Sequence, residues 1–163
     1  MSWRWVTEME EDVMYVKGNI KIDFEDSFNP QAGDELRVCL AYKEKETDNY
    51  EQIKLVLSDW ENQVLGMYYL FGAADPKAEC LKNVENTLVT TTTDKGWYVE
   101  KNDFNEKTKS LYVNIKRPMT IDNLETLDLE EDTEYYYSLN GGVFPSATDE
   151  TPGLMFGDVA NTD

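Results

Sequence analysis

The sequence predicts an all-β fold: an antiparallel β-sandwich of about nine or ten strands, followed by an extended C-terminal arm. Three observations lead to this prediction. Apolar residues recur at every second position in several short stretches, which is the period of a strand with one buried face. Clusters of Asn, Asp, Gly and Pro separate these stretches at the roughly 8–12-residue spacing that is typical of sandwiches and barrels. No window has the periodicity of a convincing amphipathic helix.

Four stretches alternate clearly, and we expect their apolar side chains to form the core. The outward positions of the same stretches carry mostly polar residues, among them Lys21, Tyr112 and Asn114. The expected core sets are Ile20, Ile22 and Phe24 in 19–25; Leu36, Val38 and Leu40 in 35–42; Ile53, Leu55 and Leu57 in 52–57; and Leu111, Val113 and Ile115 in 110–116.

The other expected strands have weaker patterns. Residues 86–93 are rich in β-branched Thr and Val, and residues 97–101 form a short strand-like stretch. Residues 64–71 are apolar on both faces, which predicts a central strand covered on both sides. In residues 134–140, Tyr135 and Tyr137 alternate with Tyr136.

The 163 residues suffice for one domain, and we expect a sandwich over residues 1–142 and an arm over residues 143–163. The arm is rich in Gly, Pro, Thr and Asp, and its two prolines exclude a continuous helix. Its apolar residues are expected to pack in a groove of the same sandwich or of a neighbouring copy. They include Phe144, Leu154, Met155 and Phe156.

Charge and composition exclude several classes of function. With 33 acidic and 15 basic residues the net charge is −18, which disfavours nucleic acid and anionic membrane surfaces as partners. No apolar run has the roughly 20 residues of a membrane helix, so no membrane insertion is expected, and the first residues show no signal peptide. The chain has no histidine and no glycine-rich phosphate loop, so we expect no enzyme activity and no catalytic residues.

The two cysteines, Cys39 and Cys80, are too few for a disulfide scaffold or a thiolate metal site. Cys39 lies opposite the apolar face of its strand, and Cys80 lies in a polar stretch that we expect to be a loop. A disulfide between them would close a loop of roughly 40 residues and stabilise the fold by about 3–4 kcal/mol. Two unrelated free thiols are the alternative.

Two further groups of residues are candidate binding sites. Four carboxylates flank one turn, and such oxygen clusters suit Ca²⁺, although solvated acidic turns are the alternative: Asp23, Glu25, Asp26 and Asp34. Tyr135 and Tyr137 share one face and are candidates for a ring platform for sugars, with ordinary core packing as the alternative.

An ordered string of residues runs through the second half of the chain. Residues 96–99 read Gly-Trp-Tyr-Val, the strand at 110–118 ends in Arg117-Pro118, and an aromatic strand leads to Asn140-Gly141-Gly142. Between these stretches lie Thr120, Asp122 and Leu127. This string resembles the C-terminal half of the DOMON domain, and residues 12–22 are similar to the opening strand pair of that family. The resemblance covers about half of the chain.

The resemblance implies a sandwich of about ten strands that binds haem or sugars, mostly outside the cell or in lumenal compartments. Haem-binding members use an axial Met from the middle of the domain and a His near its end. The His is absent here, so the resemblance leaves Met67 and Met155 as candidate ligands of haem b.

We therefore expect a non-catalytic, extracellular or cell-surface module that binds a small ligand such as a sugar, or a protein partner. No cofactor is the first expectation, with haem b and Ca²⁺ as alternatives. One alternative function is a haem-binding electron-transfer domain of the DOMON type. The other is a structural subunit of a filament or other self-associating assembly, in which the arm docks on a neighbouring copy.

Overall fold

The computed structural model describes residues 1–44, 48, 50–86, 97–119 and 135–156. Within these ranges the chain forms nine strands, one α-helix and a 3-10 turn at Val84–Asn86. Their bounds are β1 Ser2–Glu10, β2 Val13–Asp23, β3 Glu35–Glu44, β4 Tyr50–Asp59, β5 Val64–Ala73, α1 Pro76–Leu81, β6 Tyr98–Asn105, β7 Ser110–Pro118, β8 Tyr135–Phe144 and β9 Leu154–Phe156.

The strands form two antiparallel sheets. Sheet A has the order β1-β2-β7-β6, and sheet B has the order β5-β4-β3-β8-β9. Their inner faces contribute to one continuous apolar core. The predicted all-β sandwich is therefore confirmed.

The four predicted apolar sets all point into this core. Each of their side chains is at most 8% exposed, and most are fully buried. Aromatic rings pack at both ends of the core: Trp5 lies 5.7 Å from Trp97 at one end, and Phe24 lies 4.2 Å from Phe28 at the other. The period-two pattern thus assigned the correct face to each of these strands.

The first strand was not expected from the sequence. Trp3 and Trp5 of β1 point into the core and contact each other edge to face at 5.5 Å. Beyond Trp5 the alternation fails, because Val6 stands at an outward position and Thr7 at an inward one. The pairing with β2 along all nine residues places this stretch in the sheet.

The expected loop around Cys80 contains the helix α1. Asp75 caps its N-terminus, where the side chain accepts a hydrogen bond from the Ala78 N–H at 3.2 Å, and Pro76 suits the first turn because its missing N–H needs no partner there. With six residues the helix is too short to give a recognisable amphipathic pattern. No helix in the described ranges is long and apolar enough to cross a membrane.

Among the described strands, the apolar stretch 64–71 is not a central strand, contrary to expectation. It belongs to β5, which stands at the edge of sheet B, and Val64 is 59% exposed. Strand order depends on which distant strands pair, and local apolar content does not encode it. The expected strand at 86–93 lies, beyond Asn86, outside the described residues, as do Thr120, Asp122 and Leu127.

The expected arm begins later than residue 143, because β8 continues to Phe144. The chain then turns back, and β9 pairs with β8 of the same domain through Val143 and Leu154. Gly142 is needed for this return, since a Cβ there would lie 2.8 Å from the Leu154 carbonyl oxygen. Phe144 is buried as expected. Leu154 and Met155 are exposed, contrary to the expected apolar groove, so backbone pairing attaches this later part of the arm.

Ile115 gives a direct test of the core. Replacing Ile115, which is fully buried, with Ala should lower the free energy of unfolding by about 2–5 kcal/mol because a cavity remains. Val13→Ala, at an exposed position, should change it by less than about 0.5 kcal/mol. Urea unfolding followed by tryptophan fluorescence measures both, and equal effects would contradict the assigned core.

Candidate functional site

The outer face of sheet B is covered by residues 74–86, here called the cap, together with the loop 145–150. Beneath them lie polar side chains that are almost completely buried: Arg37, Gln52, Lys54 and Asn140. Buried groups of this kind require hydrogen-bond partners. The cap and the loop supply several of them through main-chain carbonyl groups.

Arg37 links four parts of the fold. Its guanidinium donates hydrogen bonds to the Glu35 carboxylate at 2.7 Å, to the Leu81 carbonyl of the cap at 2.7 Å and to the Ala147 carbonyl at 3.1 Å. It also lies 3.8 Å from the ring centre of Phe144. The buried charge is therefore paired, hydrogen-bonded and stacked.

Lys54 is held against the end of α1. Its ammonium group donates to the main-chain carbonyls of Glu79 and Lys82. Burial lowers the pKa of Lys54 to about 8, and the positive charge of Arg37 contributes to this lowering. The cap excludes a ligand from this side chain, so the low pKa does not make it an accessible nucleophile.

The two cysteines form a disulfide with a Cα–Cα distance of 5.8 Å. It attaches the cap to the centre of sheet B, and both residues are fully buried. The sequence led us to expect a half-exposed thiol and a loop thiol, but the cap covers Cys39, and Cys80 lies on α1. The sequence left open whether the two cysteines pair. They do pair, because the cap packs on sheet B and brings Cys80 to Cys39.

The outer face of sheet A carries no such cap among the described residues, and it has two parts. The first is a charge cluster in which two lysines on adjacent strands meet three carboxylates. Glu10 joins the two lysines, at 3.1 Å from Lys17 and 2.6 Å from Lys116. Glu8 contacts Lys17, and Glu100 contacts both lysines at 3.3–3.6 Å.

The two lysines compensate two of the three carboxylate charges in this cluster. The hydrogen bond from Lys116, followed by that from Lys17, lowers the pKa of Glu10, and the bond to Glu10 is the main cause that raises the pKa of Lys116. Glu10 therefore stays ionised and Lys116 stays protonated near neutral pH. An open recess of about 580 Å³ adjoins them and is also lined by Glu11, Val13 and Tyr15.

The second part, here called the open region, comprises Arg4, Asn19, Lys21, Tyr112 and Asn114. Arg4, Asn19 and Asn114 follow one another across three strands, and Lys21 lies opposite Tyr112 in the next row. The Lys21 ammonium is 5.5 Å from the centre of the Tyr112 ring, which is 44% exposed. The five side chains surround a shallow recess of about 140 Å³.

The open region differs from the charge cluster in its unused hydrogen-bonding capacity. Within the described part of the chain, no hydrogen bond or ion pair engages the side chains of Arg4, Asn19 and Asn114. An amide offers donors and an acceptor, and a guanidinium offers five donors. Together with an exposed ring, these groups can hold a polar ligand that has both hydroxyl groups and a C–H face.

Other predicted sites are not assembled. Met67 lies on β5 and packs against the core, whereas Met155 is exposed on β9, at the opposite edge of the five-stranded sheet B. Four strand spacings of about 4.8 Å separate these edges, and the two side chains project from opposite faces. They therefore do not fit as two axial ligands of one haem.

The four turn carboxylates do not converge either. Asp23 accepts a hydrogen bond from the Ser110 hydroxyl at 2.8 Å, while Asp34 accepts one from the Gln31 N–H at 2.8 Å. Glu25 and Asp26 are exposed. Across the described residues, no three acidic, Cys or His side chains form a group able to hold a metal ion.

The expected ring platform is also absent, because Tyr137 points inward. Its ring lies 5.0 Å from that of Trp3 and 5.9 Å from that of Trp5. The backbone of Tyr135 belongs to β8, but its side chain lies outside the described residues, as does that of Phe156 in β9. Tyr112, by contrast, is exposed and lies beside the side-chain amides of Asn19 and Asn114.

The sequence identified Lys21, Tyr112 and Asn114 as outward positions, but it did not bring them together. Arg4 was missed because β1 was missed. The polar Arg4 between the apolar Trp3 and Trp5 was the signal that could have revealed this strand. Pairing of β2 with β7, which are almost 90 residues apart, creates the open region, and local patterns do not predict that pairing.

Comparison of the chain with protein-family models, characterised proteins and solved structures gives no match. The resemblance to DOMON domains therefore stays a prediction.

The disulfide should contribute measurably to stability. Replacing both cysteines with Ser opens a loop spanning a sequence separation of 41 and should lower the free energy of unfolding by about 4 kcal/mol. Chemical denaturation of both proteins measures the difference. A loss below about 1 kcal/mol would show that the disulfide does not constrain the fold.

Lys54 should leave a signature in the pH dependence of stability. Its pKa falls from 10.5 in the unfolded chain to about 8 in the folded protein, so between these values the unfolded chain binds more protons. The contribution of Lys54 to the free energy of unfolding therefore rises with pH. Relative to Lys54→Met, which cannot titrate, the wild type should gain up to about 3 kcal/mol between pH 7 and pH 10.5. If the free energies of unfolding of the two proteins changed with pH in parallel, the lowered pKa of Lys54 would be contradicted.

Proposed function

We propose that this chain is a non-catalytic β-sandwich binding module whose ligand, a carbohydrate, binds at the open region of sheet A. The observation that carries the proposal is the exposed Tyr112 ring beside the unpaired side chains of Arg4, Asn19 and Asn114. A sugar ring offers a C–H face that packs on an aromatic ring and hydroxyl groups that pair with amides.

Three cations adjoin Tyr112 in a chain whose net charge is −18. Arg4 and Lys21 belong to the open region, and Lys101 lies opposite Asn114 on β6. Lys21 is partly neutralised by Asp23 at 3.6 Å, whereas Arg4 has no ion-pair partner in the described part of the chain. Asp103 lies opposite Tyr112 on β6, so together with Asp23 it offsets two of the three cations. The support for a sugar that carries a carboxylate therefore comes from Arg4, because a guanidinium binds a carboxylate with two parallel hydrogen bonds.

Two further observations support a binding role outside the cell. Disulfides persist mainly in oxidising compartments, and Cys39 is bonded to Cys80. The lysines and carboxylates of the charge cluster pair with one another, which supports a role in binding without catalysis. The described part of the arm pairs with its own domain, which favours the binding module over a filament subunit.

Tyr112 and Tyr136 provide a matched test. They are 44% and 45% exposed, but Tyr112 belongs to sheet A and Tyr136 to sheet B. A glycan array with neutral and uronate-containing oligosaccharides identifies the ligand, and titration calorimetry then measures affinity. Tyr112→Ala should weaken binding about tenfold or more, since stacking and buried area together exceed about 1.4 kcal/mol.

Tyr136→Ala should bind as the wild type does, and Arg4→Ala should weaken uronate binding more than neutral-sugar binding. Absence of any glycan binding, or an equal loss in both tyrosine variants, would refute the proposal.

A further inference from the structure

A second exposed aromatic ring lies on the outer face of sheet A. Tyr98 of β6 is 41% exposed, close to the 44% of Tyr112 on β7. Tyr98 stands opposite Lys116, which follows Tyr112 by four residues on β7. Four residues along a strand and one strand spacing place the two tyrosine Cα atoms about 14 Å apart. The two rings therefore mark separate positions on one face, further apart than a single sugar ring can reach.

A β-bulge turns Tyr98 onto this face. Phe104 lies six residues later on β6, and residues six apart in a regular strand point to the same face. Phe104 nevertheless points into the core and is 8% exposed. The register of β6 against β7 shifts between Val99 and Lys101, so Glu100 is an extra residue that reverses the alternation. Bulges occur often beside functional sites, where they redirect a side chain.

Contacts with the charge cluster hold the Tyr98 side chain in place. The Lys116 ammonium lies 5.1 Å from the centre of the Tyr98 ring and 4.6 Å from that of the Tyr15 ring. Glu10 and Glu100 pair with the same ammonium group. A ring that is oriented before a ligand arrives loses less conformational freedom on binding. Tyr98 is therefore both exposed and restrained.

A row of polar side chains separates the two rings. It crosses all four strands of sheet A and consists of Arg4, Asn19, Asn114 and Lys101. Within the described ranges, no hydrogen bond or ion pair engages these four side chains. A chain of sugar units that packs on both rings would cross this row, and its hydroxyl groups would meet these donors and acceptors.

We propose that the open region is one part of a longer site, which binds a chain of sugar units and uses Tyr112 and Tyr98 as its two stacking positions. The longer site depends on the proposed function, because it extends the same carbohydrate-binding surface. A monosaccharide covers one ring only. An oligosaccharide that reaches both rings is held at two positions that its own covalent bonds connect, so its affinity exceeds that of a single unit.

The charges around the two rings differ, and the difference restricts the class of the chain. Around Tyr112, three cations face two carboxylates. Around Tyr98, two lysines face three carboxylates. Complementary charge favours a uronate unit beside Tyr112 and a neutral unit beside Tyr98. A chain with a carboxylate on only some of its units fits this pattern, whereas a carboxylate on every unit places like charges together near Glu100.

Chain length and Tyr98 test the longer site in the full chain. The probes are oligosaccharides of one to six units in three classes: neutral, uronate at alternate units and uronate at every unit. Titration calorimetry should show an affinity of the wild type that rises about tenfold or more from the shortest to the longest alternating probe. The longest alternating probe should also bind more tightly than its counterpart with uronate at every unit.

Tyr98→Ala should remove this gain with length but leave the affinity for the shortest binding probe within about twofold, which also shows that the variant is folded. Tyr98→Phe keeps the ring and should keep the gain. Tyr136→Ala, with an equally exposed tyrosine on sheet B, should keep it as well.

An affinity that is independent of chain length, or a gain that survives Tyr98→Ala, overturns the longer site and leaves the proposed function intact. Equal weakening of short and long probes by Tyr98→Ala also overturns it, because Tyr98 would then not be a separate position. A preference for uronate at every unit contradicts the charge assignment. If no probe binds, or if Tyr112→Ala changes nothing, the proposed function fails and the longer site fails with it.

Discussion

The packing of the inner faces of the two sheets against each other is the interaction on which the remaining structure depends. Trp3, Trp5 and Tyr137 connect the sheets at one end of the core, and Phe24, Trp60 and Phe104 pack together at the other. The free energy comes from removing this apolar surface from water. Since alternate side chains of a strand project to opposite faces, burying one set fixes the outward position of the other. The two outer faces differ in composition, and this difference decides which contacts each sheet makes on its outer side.

Sheet B uses its outer face for stability. A buried guanidinium and a buried ammonium group are costly unless they are hydrogen-bonded, and the cap provides carbonyl groups for both Arg37 and Lys54. A helix of six residues does not persist alone in water, so the cap in turn requires these side chains and the disulfide. The cap therefore stabilises the buried cations, and the buried cations stabilise the cap. This interdependence explains why charged residues occur at the centre of a sheet whose other face is apolar.

On sheet A, no segment of the described residues covers the outer face in the way that the cap covers sheet B. One part of it is satisfied internally by the charge cluster, and the other part presents Tyr112 and unpaired amides to the solvent. Binding surfaces generally combine a rigid scaffold with polar groups whose partners come from outside the protein. The open region is built on paired strands, which restricts the freedom of its side chains.

The sequence by itself determined the all-β class, the inward faces of four strands and the outward positions of Lys21, Tyr112 and Asn114, because period two is a local property of the chain. The −18 charge and the lack of histidine also led to predictions against several functions, such as nucleic-acid binding. Tertiary structure decided the rest. Only pairing between distant strands places Asn19 beside Asn114, moves β5 to an edge, separates Met67 from Met155 and brings Cys39 to Cys80. These contacts join residues far apart in the chain, and no local pattern encodes which strands become neighbours.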